Sequence, residues 1–184
     1  MSHFNSFVRI PLLALRQAIA PLPSLAPLET DILTLRVLPQ DIDFNFHLNN
    51  ARFLSAMDYG RVHLLARAGM LKIALKARYA PVVGAVWITY RRSLPLWAHY
   101  QLATRLVCWD ERWFYMEQTF TSSEGLVAVG WVKGALLDKS SIVPPQRIID
   151  LVAPGIESPA IPESFVTLNT LTRDKLQSAV ELGN

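Results

Sequence analysis

The stretch Asp41-Ile42-Asp43-Phe44-Asn45-Phe46-His47-Leu48-Asn49-Asn50-Ala51-Arg52-Phe53 joins two runs of different hydrophobic period. Behind it, Ile32 to Leu38 alternates, with Leu33, Leu35 and Val37 on one face and Thr34 and Arg36 on the other. That pattern predicts a half-buried strand, ended by Pro39. Ahead of it, from about Asn50 to Ala68, the apolar residues Ala51, Phe53, Leu54, Met57, Val62, Leu64, Leu65 and Ala68 cover more than one narrow stripe. A helix with that pattern is buried over most of its circumference. Two carboxylates, an imidazole and two carboxamides therefore meet where a helix begins. Unpaired backbone N–H groups and the positive end of the helix dipole suit that place to an anion.

Gly60 in the helix costs about 1 kcal/mol relative to alanine, a cost expected to be offset by close approach to another backbone. Gly69 is placed to cap the helix, and Met70 to Arg78 reads as a second, shorter helical piece. After Pro81, four runs are rich in β-branched and aromatic residues: Val82–Arg92, Ala98–Val107, Trp113–Phe120 and Leu126–Leu137. Short connections between them predict an antiparallel meander, with Gly84, Gly130 and Gly134 as candidate bulges or close approaches. Pro144-Pro145 opens a short helix through Ala153, and Pro154, Pro159 and Pro162 punctuate a tail whose last residues are expected to fray. One strand, a buried helix, then four antiparallel strands is an α+β order. A curved antiparallel sheet wrapped around a long central helix is the hot-dog fold. Its open edge and uncovered face are covered cheaply by a second copy.

Pro21, Pro23 and Pro27 divide the chain into an arm (1–27), the sheet-and-helix domain (28–151) and a C-terminal extension (152–184). Phe4 to Ile19 reads as an arm packed on its own domain, with peripheral membrane contact as an amphipathic helix the alternative. Ala18-Ile19-Ala20 looks like a secretory cleavage site, but Arg9, Pro11 and Arg16 cut the preceding apolar run. The lone Cys108 excludes a disulfide framework and a cysteine-based zinc site, and fits a reducing, cytoplasmic setting. A net charge of +3 does not imply nucleic acid. Between Asp58 and Asp110, however, there is no acidic residue, while Arg61, Arg67, Lys72, Lys76, Arg78, Arg91, Arg92 and Arg105 all fall there. A solvated basic surface and a phosphate-bearing ligand fit that bias equally. Asp41-x-Asp43-x-Asn45 opens like a calcium loop but fails at Phe46, where glycine is required, and at Arg52, where a bidentate glutamate belongs. No metal and no cofactor are implied.

Asp41-x-Asp43-x-x-x-His47-Leu48-Asn49-Asn50-Ala51-Arg52-Phe53, followed by Met57-Asp58 and Arg61, resembles the signature of the 4-hydroxybenzoyl-CoA-thioesterase branch of hot-dog proteins. A second block, Arg91-Arg92-Ser93-Leu94 with Cys108-Trp109-Asp110-Glu111-Arg112-Trp113-Phe114-Tyr115-Met116-Glu117, is similar to the thioesterase-superfamily-member-six-like subgroup. The resemblance spans about Leu28 to Leu151. It implies hydrolysis of acyl-CoA thioesters in a dimer or dimer of dimers, without a metal. It places the catalytic carboxylate on Asp43 and the oxyanion donors on the backbone N–H groups around Phe46, His47 and Leu48. Many members carry glycine where this chain has Phe46, whose bulk is expected to alter the loop or narrow the pocket.

From the residues themselves, Asp43 can attack a thioester carbonyl or activate water, and it can also simply cap the helix. His47 can orient water, donate to the thioester oxygen or bond a carboxylate, and a purely structural histidine fits equally well. Asp41 shapes the loop, Asn49 and Asn50 cap the helix, and Asp58 pairs with Arg61 three residues on. Arg91, Arg92 and Ser93 are candidates for the phosphates of coenzyme A, against a solvated strand end. Trp87, Trp97, Trp113 and Trp131 read as core or interface, with an acyl tunnel the lesser alternative. Two other activities fit the same fold: a non-catalytic acyl or lipid binder, and a hydroxyacyl-thioester dehydratase with His47 as its catalytic histidine.

Overall fold

A computed structural model describes residues 23–182; the segment Phe4–Ile19 and the cleavage-like Ala18-Ile19-Ala20 lie outside it. Strand β1 (Asp31–Arg36) is followed by a single 3-10 turn (Pro39–Asp41) and then by helices α1 (Asn50–Arg67) and α2 (Met70–Ala77). Strands β2 (Ala80–Tyr90), β3 (His99–Trp109), β4 (Phe114–Ser122), β5 (Gly125–Asp138) and the short β6 (Ser141–Val143) come next, then α3 (Pro145–Val152) and α4 (Glu163–Leu182). The strands form one antiparallel sheet in the order β1-β3-β4-β5-β2, with β6 folded back on the end of β5. This is the hot-dog arrangement expected from the sequence.

The expected alternation in β1 holds: Leu33, Leu35 and Val37 turn toward the core, while Thr34 and Arg36 face solvent. Helix α1 lies on the inner face of the sheet, with Phe53, Ala56 and Met57 buried in one cluster with Leu102, Leu106, Phe120 and Val132. Phe53 makes edge contacts with Tyr90 on β2 and Phe120 on β4. Gly69 stands just past the helix at φ +76, the left-handed conformation that glycine adopts without strain. Gly60 is required for a reason other than the one expected. A Cβ there would lie 2.6 Å from Thr104 Oγ1 and 2.9 Å from Gln118 Nε2. The helix approaches sheet side chains at that point, not another backbone.

The region beyond Pro154 is the other departure. The punctuated tail is a 20-residue helix after Pro162, and its Phe165 is buried against Tyr115 and Cys108 on the outer face of the sheet. The aromatic residues divide as well. Trp113 and Trp131 pack into that outer cluster, whereas Trp97 is half exposed at φ +68, with the Arg36 guanidinium over its ring.

Candidate functional site

The 3-10 turn and the start of α1 are tied together by a dense set of backbone bonds. The N–H of Asp43 donates to His47 O (2.9 Å), that of Phe46 to Asp43 O (3.1 Å), and that of Asn49 to Asp41 O (2.9 Å). The loop then pairs with the one that follows β2. Leu48 N–H donates to Leu94 O (2.7 Å) and Leu96 N–H to Phe46 O (3.3 Å), bridging His47 to Pro95. The acidic loop and the turn after β2, far apart in sequence, are thus joined through their backbones.

Within this unit each predicted residue has a definite place. Asp41 is buried; its Oδ2 accepts the Leu38 N–H at 3.2 Å and its Oδ1 lies 3.8 Å from Arg52 Nε. Asn49 caps α1, its Oδ1 accepting the Ala51 N–H at 2.9 Å. Asn50 is the first helical residue, and its carbonyl accepts the Tyr90 hydroxyl at 3.3 Å. With Asn49 as the cap, Asp43 is not the helix cap. Its Oδ1 instead accepts the Asn45 N–H at 2.8 Å in a local Asx turn. Its second carboxylate oxygen has no partner among the described residues.

The amides sort clearly. From Asn45 to Arg52 every N–H is taken by a backbone or side-chain acceptor except those of His47 and Asn50. The expected donors on Phe46 and Leu48 are therefore committed to Asp43 O and Leu94 O. Of the three amides named from the sequence, His47 alone is open, and Asn50, one turn on, joins it. The sequence marks Asn50 by a side chain suited to capping, which carries no sign of an open amide.

Phe46 has φ +59, the left-handed region where glycine is favoured. That explains the glycine common at this position in the resembling branch. Its ring is 70 % exposed, as Phe44 is at 88 %. Phe46 is not among the residues that line the cavities described below.

Arg61 is buried. It bonds the Asp58 carboxylate as expected and also donates from Nη1 to Gln118 Oε1 at 2.9 Å. Burial lowers the pKa of Arg61, and the Asp58 carboxylate opposes that shift. Gln118 is fully buried and donates in turn to Met57 O (2.9 Å) and Thr104 Oγ1 (3.0 Å). Asp58 and Arg61 sit on the wall of an apolar cavity of about 260 Å³ between α1, α2 and strands β2 to β5, with Val82, Leu106, Met116 and Leu136 among its other walls. None of the four tryptophans named as tunnel candidates lines it.

Arg91 and Arg92 are exposed at the end of β2, their amides both donating to Val127 O. Arg92 Nη1 also donates to the Glu124 carbonyl. Ser93 lines an open groove of about 740 Å³, together with Leu94, Pro95, Tyr100 and Glu124.

A second buried charged group was not singled out from the sequence. Asp31 on β1 lies 2.5 Å from His63 Nδ1 and 2.6 Å from Arg67 Nη1, both on α1. Burial alone would raise the Asp31 pKa, but the hydrogen bonds and charges of His63 and Arg67 outweigh it and hold the carboxyl below its ordinary value. Arg67 Nε also donates to Pro23 O at 3.1 Å, fastening the segment that leads into β1.

A curved antiparallel sheet around one helix, with an acid-and-amide loop at the helix start, defines a thioesterase-like hot-dog domain. Residues 37–167 match the model of the thioesterase-like superfamily, and the chain belongs to that family. It is 34 % identical to Protein THEM6 of Xenopus laevis over 133 residues, covering 71 % of this chain and 62 % of that protein. The chain thus spans less than two thirds of the length of that curated relative. Among solved structures, YbaW from Escherichia coli, described as a probable thioesterase, superposes with a TM-score of 0.60 at 20 % identity. The match covers 67 % of this chain and 96 % of YbaW. A hypothetical protein of Staphylococcus aureus, solved in complex with CoA, superposes with a TM-score of 0.53 at 19 % identity, covering 79 % and 84 % of the two chains. At these identities the likeness establishes the fold. Among the described residues no helix is long and apolar enough to cross a membrane.

Proposed function

We propose that the protein hydrolyses acyl thioesters of coenzyme A, with Asp43 acting at the thioester carbonyl. The observation that carries this reading is the pattern of open groups in the Asp43–Asn50 loop. One Asp43 carboxylate oxygen and the amides of Phe44, His47 and Asn50 have no partner among the described residues, while those of Asp43, Asn45, Phe46, Leu48 and Asn49 are bonded. Hydrolysis of a thioester needs those two components: an oxygen base or nucleophile, and donors for the carbonyl oxygen as it becomes negative.

Two routes use the same groups. Asp43 takes a proton from water as the hydroxide adds to the carbonyl, or its carboxylate adds directly and the resulting anhydride is hydrolysed. In both, the oxyanion is held by amides at the positive end of α1, and the coenzyme A thiolate leaves and takes up a proton. The apolar cavity beside Asp58 and Arg61 suits a compact acyl group, because its volume lies just below the usual range for small-molecule sites. The groove beside Ser93 suits the coenzyme, and Arg91 and Arg92 stand ready for its phosphates.

Pairing with a second copy belongs to the same proposal. The eleven-residue edge strand β2 contains no charged residue, and its Val83 and Val86 are exposed. A long, uncharged, apolar edge is a template for another strand.

Asp43→Asn is the decisive variant, since an asparagine Oδ1 still accepts the Asn45 amide and preserves the turn. Thiol release from a panel of acyl-CoAs should fall by about 10²–10⁴-fold, with an unchanged melting temperature. Turnover equal to that of the parent protein overturns the assignment. The protein's own thiol does not interfere, because Cys108 is buried and its pKa is pushed up to about 11 by burial and by Asp110.

A further inference from the structure

The C-terminal segment crosses the outer face of the sheet strand by strand. Ser158 bonds the backbone of Trp109 on β3. Phe165 packs on Tyr115 of β4. Asn169 accepts from Lys133 Nζ of β5 at 2.8 Å and donates to the Tyr115 hydroxyl at 3.0 Å. Tyr115 is paired with Lys133, and Lys133 with Ala85 on β2, so the next strand on this course is β2, the last in the sheet.

Helix α4 does not stop there. Leu176 lies about 10 Å and Val180 about 16 Å beyond Asn169 along the axis, and strands are about 4.8 Å apart. Those two residues are therefore about two and three strand spacings past β5, outside the chain's own sheet. Their exposure agrees with that placement. Phe165, Leu168, Asn169 and Thr172 are covered or half-covered, whereas Leu176 is 64 % and Val180 66 % exposed. Yet Leu176, Ala179 and Val180 continue the stripe that begins with Phe165, Leu168, Asn169 and Thr172, spaced three and four residues apart. One face of one helix is used for its first half and left bare for its second.

We propose that the distal half of α4 is an exchanged arm. It lies on the outer face of a second copy of this chain, across a junction formed by β2 strands, and receives the partner's arm in return. The proposal rests on the β2-edge pairing put forward above and adds an interaction that such pairing does not need. A two-fold axis through the edge brings the second copy's outer face to where the helix overhangs. The occupied surface would be that around Ala85 and Trp87 on β2, which face outward because Ile88 and Tyr90 turn inward to the core. Such reciprocal contact is the isologous geometry of a closed dimer.

The test uses the full chain, the double variant Leu176→Glu/Val180→Glu, and a chain ended after Thr172 that retains Phe165 and Asn169. Sedimentation equilibrium should show the dimer dissociation constant rising at least tenfold in both altered chains, with circular dichroism and melting of the monomer unchanged. A dissociation constant equal to that of the parent sinks the arm while leaving β2 pairing in place. A parent chain that is monomeric at every concentration sinks both, and thiol release scores the catalytic reading separately. Binding of the parent, but not of the double variant, to vesicles of phosphatidylcholine and phosphatidylserine, with dimerisation unaltered, assigns the bare face to a lipid surface and also overturns the proposal.

Discussion

Phe46 offers a test of the loop that does not depend on any substrate. Its backbone lies at φ +59 with most of its ring in solvent. An L-residue in the left-handed region is disfavoured by about 1–2 kcal/mol. Replacing Phe46 by glycine removes that strain but also removes the ring's residual contacts, so one variant alone confounds the two. Comparing Phe46→Gly with Phe46→Ala separates them, since both lose the ring. Glycine's extra freedom in the unfolded chain gives back about 0.4–1 kcal/mol of the difference. The net expectation is that the glycine variant is more stable than the alanine variant by about 1 kcal/mol. For a domain of this size that corresponds to about 2–4 °C in melting temperature. At an ordinary negative φ the order would reverse. Urea titration of both variants, with equal m-values, reads the difference from the midpoints. If alanine equals or exceeds glycine, Phe46 does not hold the left-handed conformation.

Other outcomes follow from named contacts. Asn49→Ala removes the cap on α1 and should cost about 1 kcal/mol in urea unfolding, while Asn50→Ala, whose side chain caps nothing, should cost much less. Gly60→Ala drives a methyl group into Thr104 and Gln118 and should lose about 1–3 kcal/mol; a neutral result would mean that α1 stands further from the sheet. Asp31 has a folded pKa below its unfolded one, so its stabilisation is present above the unfolded value of about 3.9 and is lost as pH falls through the folded value. Acid unfolding below about pH 4 should therefore flatten in Asp31→Asn, as followed by circular dichroism. Arg91→Ala should raise KM for acyl-CoA with kcat unchanged, and an unaltered KM removes that residue from coenzyme binding.

Much of this was legible because the signals are local. The alternation of Leu33, Leu35 and Val37, the wide apolar surface from Asn50 to Ala68, and short turns between β-rich runs each lie within one element. The antiparallel sheet around a helix follows from them. The polar loop was also legible as a place, since its residues are adjacent in the chain. What escaped is non-local or conformational. Asp31 meets His63 and Arg67 more than thirty residues away, with no periodicity linking them. Gln118 announces itself only as a polar residue in phase with Met116 and Phe120. The choice of open amides depends on pairing with Leu94, which no reading of the loop alone reveals. In α4 the Phe165–Leu168–Thr172 spacing was present, but the three prolines upstream pointed to a tail.

The pairing of His47 with Pro95 bears on how such proteins can be recombined. Residues 43–48 and 93–96 share backbone hydrogen bonds, so each is shaped by the other's main chain and not only by its side chains. A chimera that imports the acidic loop from a relative while keeping its own 93–96 turn would join two main-chain paths that never fitted together. Transplanting both segments at once keeps the match. In a breeding experiment among distant relatives, functional offspring should therefore carry the two segments from the same parent, although more than forty residues lie between them.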